Sequence, residues 1–116
     1  MKLQRCVDEL LKRGIDDWVQ TAEVAYVAQS TGGAVTREEI RQLSLELIHT
    51  VVQRGLMKIG DVDQEGFHQW NVPSEKALER VESKWMKVEG GPNLGEICWM
   101  SNTEQGDQHA KNLIKA

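Results

Sequence analysis

The sequence predicts a mostly helical α+β fold. Three segments, 2–13, 17–29 and 37–54, carry apolar residues at helical spacing. Three short runs, 56–59, 67–70 and 97–100, are bounded by turn residues and read as strands. A fourth helical segment lies between the last two.

The elements follow in order. In 2–13, Leu3, Val7, Leu10 and Leu11 form one stripe, and Gly14 ends it. Asp17 with Gln20 offers a capping pair for the second helix, whose apolar face would be Trp18, Ala22, Ala25 and Tyr26. Thr36-Arg37-Glu38-Glu39 is a capping box that opens the third helix, and its two glutamates suit the positive end of the helix dipole. Ile40, Leu43, Leu47, Ile48 and Val51, widened by Leu45 and Val52, make this the central helix. Gly55 ends it and a strand follows. The stretch 60–66 reads as an acidic turn or loop between strands, with a short return strand at 67–70. Pro73-Ser74-Glu75 opens the fourth helix, which aligns Leu78, Val81, Trp85 and Val88. Gly90-Gly91-Pro92-Asn93 breaks it. Thr103 then caps a last helix reaching Leu113 and Ile114. Three helices followed by a small antiparallel sheet is a winged-helix-like layout, with the fourth helix inserted where a plain wing would stand. No repeat or linker divides the chain, so 1–116 reads as a single domain.

Composition bounds the function. The chain has 116 residues with a net charge of −4, which disfavours general nucleic-acid binding. The first half, 1–58, holds eight basic and eight acidic residues, and 59–116 holds six and ten. The net negative charge therefore sits in the second half, in residues such as Asp61, Asp63, Glu65, Glu96, Glu104 and Asp107. Cys6 and Cys98 have no metal-ligand spacing, and two cysteines make no disulfide framework, so a reducing cytoplasm is the expected setting. No apolar run is long enough for a signal peptide or a membrane span.

Catalytic chemistry finds no foothold in the pattern. Asp61-x-Asp63-x-Glu65-Gly66 imitates the start of a calcium loop, but Val72 stands where the bidentate glutamate belongs. His49, His68 and His109 are scattered, so no metal site is expected. No serine sits in a nucleophile elbow, and no glycine run forms a phosphate loop. The expectation is a non-enzyme without cofactors.

That leaves binding. The leading expectation is an acidic protein-binding module, most concretely a bacterial immunity protein that neutralises a basic toxin by steric and electrostatic occlusion. Asp61, Asp63 and Glu65 would supply the charge, with His68 and Trp70 beside them as anchors. Four tryptophans is a high count beside one Tyr and one Phe; Trp85 and Trp99 fit the core, while Trp18 and Trp70 suit either a core rim or a binding anchor. The alternative is a DNA-binding regulator that reads bases through Arg37, Arg41, Gln42 and Gln53. Glu38, Glu39 and Glu46 on the same helix oppose it, as does a wing without Lys or Arg.

Two resemblances bear on this. Residues 97–106 followed by Ala110 place a strand with an aromatic before Thr103-x-x-Gly106, which resembles the end of many winged-helix domains. More broadly, Asp17-Trp18, Glu23-Val24, Gly55-Leu56, Gly60-Asp61-Val62, Gly66-Phe67, Trp70, Trp85 and the run from Pro92 to Trp99 resemble a group of small uncharacterised bacterial proteins, largely actinobacterial. The resemblance implies a compact family with tryptophans in packing and glycines in turns. It implies no activity and no functional residues.

Overall fold

A computed structural model describes residues 2–88 and 97–115. Five helices and a four-stranded antiparallel sheet follow one another as α1 (Lys2–Arg13), β1 (Val19–Gln20), α2 (Thr21–Ser30), α3 (Arg37–Gln53), β2 (Met57–Asp63), β3 (Gly66–Gln69), α4 (Ser74–Lys87), β4 (Trp99–Asn102) and α5 (Glu104–Lys115). The mostly helical α+β class is as the sequence predicts.

The sheet order is β1-β4-β2-β3, with every neighbouring pair antiparallel. Its central register sets Val19 and Ile59 on either side of Met100. All three are buried, so they mark the face that meets the helices. The core joins Cys6, Val7, Leu10 and Leu11 of α1, Val24, Val27 and Ala28 of α2, and Leu47, Ile48 and Val51 of α3. From α4 it takes Val81 and Trp85 of the predicted stripe together with Ala77, while the predicted Leu78 and Val88 are only partly buried against it.

The predicted box at the start of α3 is present. Thr36 Oγ1 accepts from Glu39 N at 3.1 Å, and Glu39 Oε1 accepts from Thr36 N at 2.9 Å. The start of α2 differs from expectation. Val19 and Gln20 pair with β4, so the helix begins at Thr21, and Gln20 N donates to Glu23 Oε1 at 3.5 Å. Asp17 instead accepts from the next residue, Trp18 N, at 2.8 Å. The shift turns the helix, so Thr21, Val24, Ala25, Val27 and Ala28 are buried while Tyr26 and Trp18 stand exposed. The predicted strand at 97–100 also slides. Ile97 and Cys98 are buried ahead of β4, which runs on to Asn102. The predicted break at 90–93 and the acidic Glu96 lie outside the described residues.

Tertiary polar contacts seat the ends of these elements. Thr21 Oγ1 donates to Cys98 O at 2.9 Å and accepts from Cys98 N at 3.1 Å, inside the core. Thr103 Oγ1 donates to Gly55 O at 2.7 Å and accepts from Gly106 N at 3.1 Å, which caps α5 as its position predicts.

Candidate functional site

The acidic turn is shorter than 60–66 and the strand before it longer. Asp61 and Asp63 belong to β2, paired with His68 and Gly66 of β3. Asp61-Val62-Asp63 already alternates polar and apolar, and the opposing strand completes the pattern. Only Gln64 and Glu65 form the turn. Asp63 Oδ1 accepts from Glu65 N at 2.8 Å, and Gly66 takes φ +119°. Asp first and Gly fourth is the residue preference of a type I turn, with glycine absorbing the positive φ.

Gly60 lets the hairpin close. A Cβ there would lie 2.1 Å from the His68 carbonyl oxygen, so the β3 backbone occupies the space a side chain would need. At the tip, a Cβ on Gly66 would stand 3.8 Å from the Trp18 ring. The hairpin turn therefore rests beside Trp18.

The expected site residues behave differently from one another. Glu65 is exposed. Asp63 is exposed and lies 2.8 Å from His68 Nε2. Its carboxyl is held below the usual range, first by the Glu65 backbone N–H and then by His68. His68 is half exposed, as expected of a solvent-facing residue. Trp70 is not an exposed anchor. It is 7% exposed, its Nε1 donates to Asp61 Oδ2 at 2.8 Å, and the Arg80 guanidinium lies 4.1 Å from its ring centroid. Lys84 Nζ approaches the same ring at 5.4 Å. Large aromatics with a polar edge are buried when that edge finds an acceptor, and Asp61 supplies it. The sequence showed neither Asp61's partner nor Arg80's place, because α4 reaches Trp70 only in the folded chain.

The result is a hairpin with a divided character. At its base, Asp61, exposed like the tip residues, is tied to Trp70, whose ring lies against Arg80 and Lys84 of α4. Towards its tip, Asp63 and Glu65 stand open. No Lys or Arg occurs between Lys58 and Lys76.

The α3 residues expected for base reading are arranged less favourably. Arg37 and Gln53 are exposed. Arg41 is bound to the Glu38 carboxylate, and its Nη1 lies 3.1 Å from Met86 Sδ of α4. Gln42 donates to the same Glu38 at 3.0 Å. Two of the four residues are thus engaged with an acidic neighbour on their own helix.

The groups with potential for chemistry are dispersed. Cys98 is fully buried, and burial pushes its thiol up to about 11, so it stays protonated near neutrality. Cys6 is buried as well, and burial raises its thiol. His109 Nε2 lies 2.9 Å from Asp8 Oδ1, joining α5 to α1. The shallow depression beside it is lined by Thr103, Gln105, Gln108 and Asn112, and the Thr103 hydroxyl is already committed to the backbone. Among the described residues no three His, Cys, Asp or Glu side chains gather as metal ligands. No helix among them is long and apolar enough to cross a membrane.

No family model, curated protein or solved structure matches the chain.

Proposed function

We propose that the chain is a non-catalytic protein-binding module that presents the β2–β3 hairpin to a basic partner. The observation that carries this reading is the acidic tip: Asp63 and Glu65 are exposed in a stretch without Lys or Arg. An anionic surface of this kind raises the rate of encounter with a cationic one and rejects acidic competitors. The rigid base helps, because a tip held by the Trp70–Asp61 bond and the Gly60 crossing needs little ordering when it binds.

Its most concrete form is a cytoplasmic immunity protein of bacterial origin that occludes a toxin sterically and electrostatically. Turnover plays no part. The surface need only cover the toxin's basic working face and dissociate slowly. DNA binding through α3 draws less support, since Arg41 and Gln42 are held by Glu38 and the hairpin that would serve as a wing is anionic. A winged-helix-like ancestry is compatible with the element order and requires no DNA role.

The test is charge reversal at the open end of the hairpin, Asp63→Lys with Glu65→Lys. Asp61 is left intact because its loss would also strand the Trp70 indole N–H. Each reading frame neighbouring the chain's own is expressed alone to find one that stops host growth, and that one is co-expressed with the chain while growth is followed. Protection by the wild type and its loss in a folded double variant is the expected result. Equal protection by both sinks the assignment of the hairpin.

A further inference from the structure

We infer that the outer edge of β3 receives an extended basic segment of the partner as an added strand. This rests on the hairpin being the contact element and specifies how it holds what it contacts.

The ladder supplies the first argument. Trp70 N donates to Ile59 O at 3.0 Å, so these two residues face each other through hydrogen bonds. Hydrogen-bonded and non-hydrogen-bonded pairs alternate along an antiparallel ladder. Asp61 with His68 is then the next bonded pair, and Gly60 with Gln69 and Val62 with Phe67 are the intervening ones. The N–H and C=O groups of Phe67 and Gln69 therefore point away from β2. β3 ends the sheet, and among the described residues no strand pairs with that side. Edges are blunted by shortness, as in the four-residue β3, or by lysine or proline. The strand Gly66-Phe67-His68-Gln69 contains neither.

The side chains select the occupant. Paired residues share a face of the sheet. Asp61, Asp63 and His68 lie on one face of the hairpin, and the half-buried Val62 and Phe67 on the other. A strand laid beside β3 repeats this two-residue period. Its Lys or Arg side chains would have to reach past His68 to Asp61 and Asp63, two strands or about 10 Å away, and its apolar residues would extend the Val62–Phe67 face. A second copy of the chain fits poorly, because antiparallel pairing of two β3 edges brings two anionic hairpins together. The occupant is thus an extended segment alternating basic and apolar residues, from a different protein.

Amide hydrogen exchange at Phe67 and Gln69, read by NMR, tests this with ten-residue peptides. An alternating Lys/Val peptide at ~1 mM is expected to slow both amides roughly tenfold, leaving the Asp61 amide, already in the ladder, unchanged. A Glu/Val peptide, and the Lys/Val peptide N-methylated at every residue, should leave all three unchanged. Gln69→Pro removes one outward N–H and spares the bonded pairs, so it should weaken peptide binding. If that variant does not fold, the N-methylated peptide makes the same comparison from the ligand's side. No slowing with the Lys/Val peptide, or equal slowing with its N-methylated form, overturns the inference. So does protection of Phe67 and Gln69 in the protein alone, accompanied by a dimer in sedimentation. Partner binding separates the two levels of the argument. Loss in Asp63→Lys/Glu65→Lys with none in a folded Gln69→Pro refutes strand addition alone. No loss in either refutes the hairpin reading as well.

Discussion

Replacing Gly106 by alanine sets two effects against each other. In an unobstructed helix interior the change stabilises by about 1 kcal/mol, because alanine loses less backbone freedom. At Gly106 the new Cβ would lie 2.0 Å from the Leu56 carbonyl oxygen and 3.3 Å from a Leu11 methyl. That oxygen cannot simply step aside. Thr103 donates to it from its backbone N at 3.0 Å. Moving it loosens the start of α5 and the entry to β2 together. Overpacking against fixed neighbours costs about 1–3 kcal/mol, and a backbone obstacle belongs at the upper end. The net expectation is a loss of about 1–2 kcal/mol, opposite in sign to the helix-propensity effect. For a chain of this size that lowers Tm by about 3–10 °C. Urea unfolding followed by tryptophan fluorescence measures it. Gln105→Ala, at the exposed neighbouring position, is the control and should stay within about 0.5 kcal/mol of wild type. A Gly106→Ala protein as stable as wild type, or more so, would refute the close seating of α5 on Leu56.

Two further substitutions follow from buried or interhelical bonds. Thr21→Val removes the hydroxyl that accepts from Cys98 N and leaves that buried N–H alone, while Thr21 N still reaches Cys98 O. A loss of about 1–3 kcal/mol is expected in urea unfolding, and an unchanged midpoint would contradict it. Asp8 is the pH-sensitive case. Burial alone would raise its carboxyl, but hydrogen bonds from His109 and Gln4 outweigh burial and hold it below the usual range. A depressed carboxylate contributes stability above its unfolded value, and that contribution is lost as pH falls through its folded value. His109→Leu should therefore be less stable than wild type near neutrality, with a gap that narrows on acidification. A gap constant down to about pH 2 would show that the Asp8–His109 bond contributes nothing.

Local signals were readable from the sequence where the physics is local. The Thr36–Glu39 box, the Val81–Trp85 part of the α4 stripe and the Thr103 cap each depend on residues within one or two helical turns, and each stands as predicted. The start of α2 failed because Val19 and Gln20 answer to Trp99 and Met100, far along the chain. A two-residue strand has no periodicity of its own, so the nearer Asp17 looked like the cap. The hairpin stands where the sequence places it, but β2 runs four residues further than predicted, for a related reason. Three acidic residues in seven look like a loop until Phe67 and His68 are seen to pair with Val62 and Asp61. Of the candidate site, Asp61, Asp63, Glu65 and His68 are exposed and Trp70 is buried. Asp61 and Trp70 turn out to satisfy each other. Trp70's burial depends on Arg80 arriving from α4, which no spacing in the sequence announces. The free edge of β3 was equally hidden, since strand order is a property of the assembled sheet. Val35 is 81% exposed, and nothing in the structure explains an apolar residue there.

The central claim is that the anionic tip of the β2–β3 hairpin meets the partner. The rate of association with the purified partner, measured at low and at physiological salt for wild type and for Asp63→Lys/Glu65→Lys, tests it most directly. The account predicts that the double variant associates at least about tenfold more slowly at low salt, and that the salt dependence seen in wild type largely disappears. An association rate with the same magnitude and the same salt dependence in both proteins would contradict it.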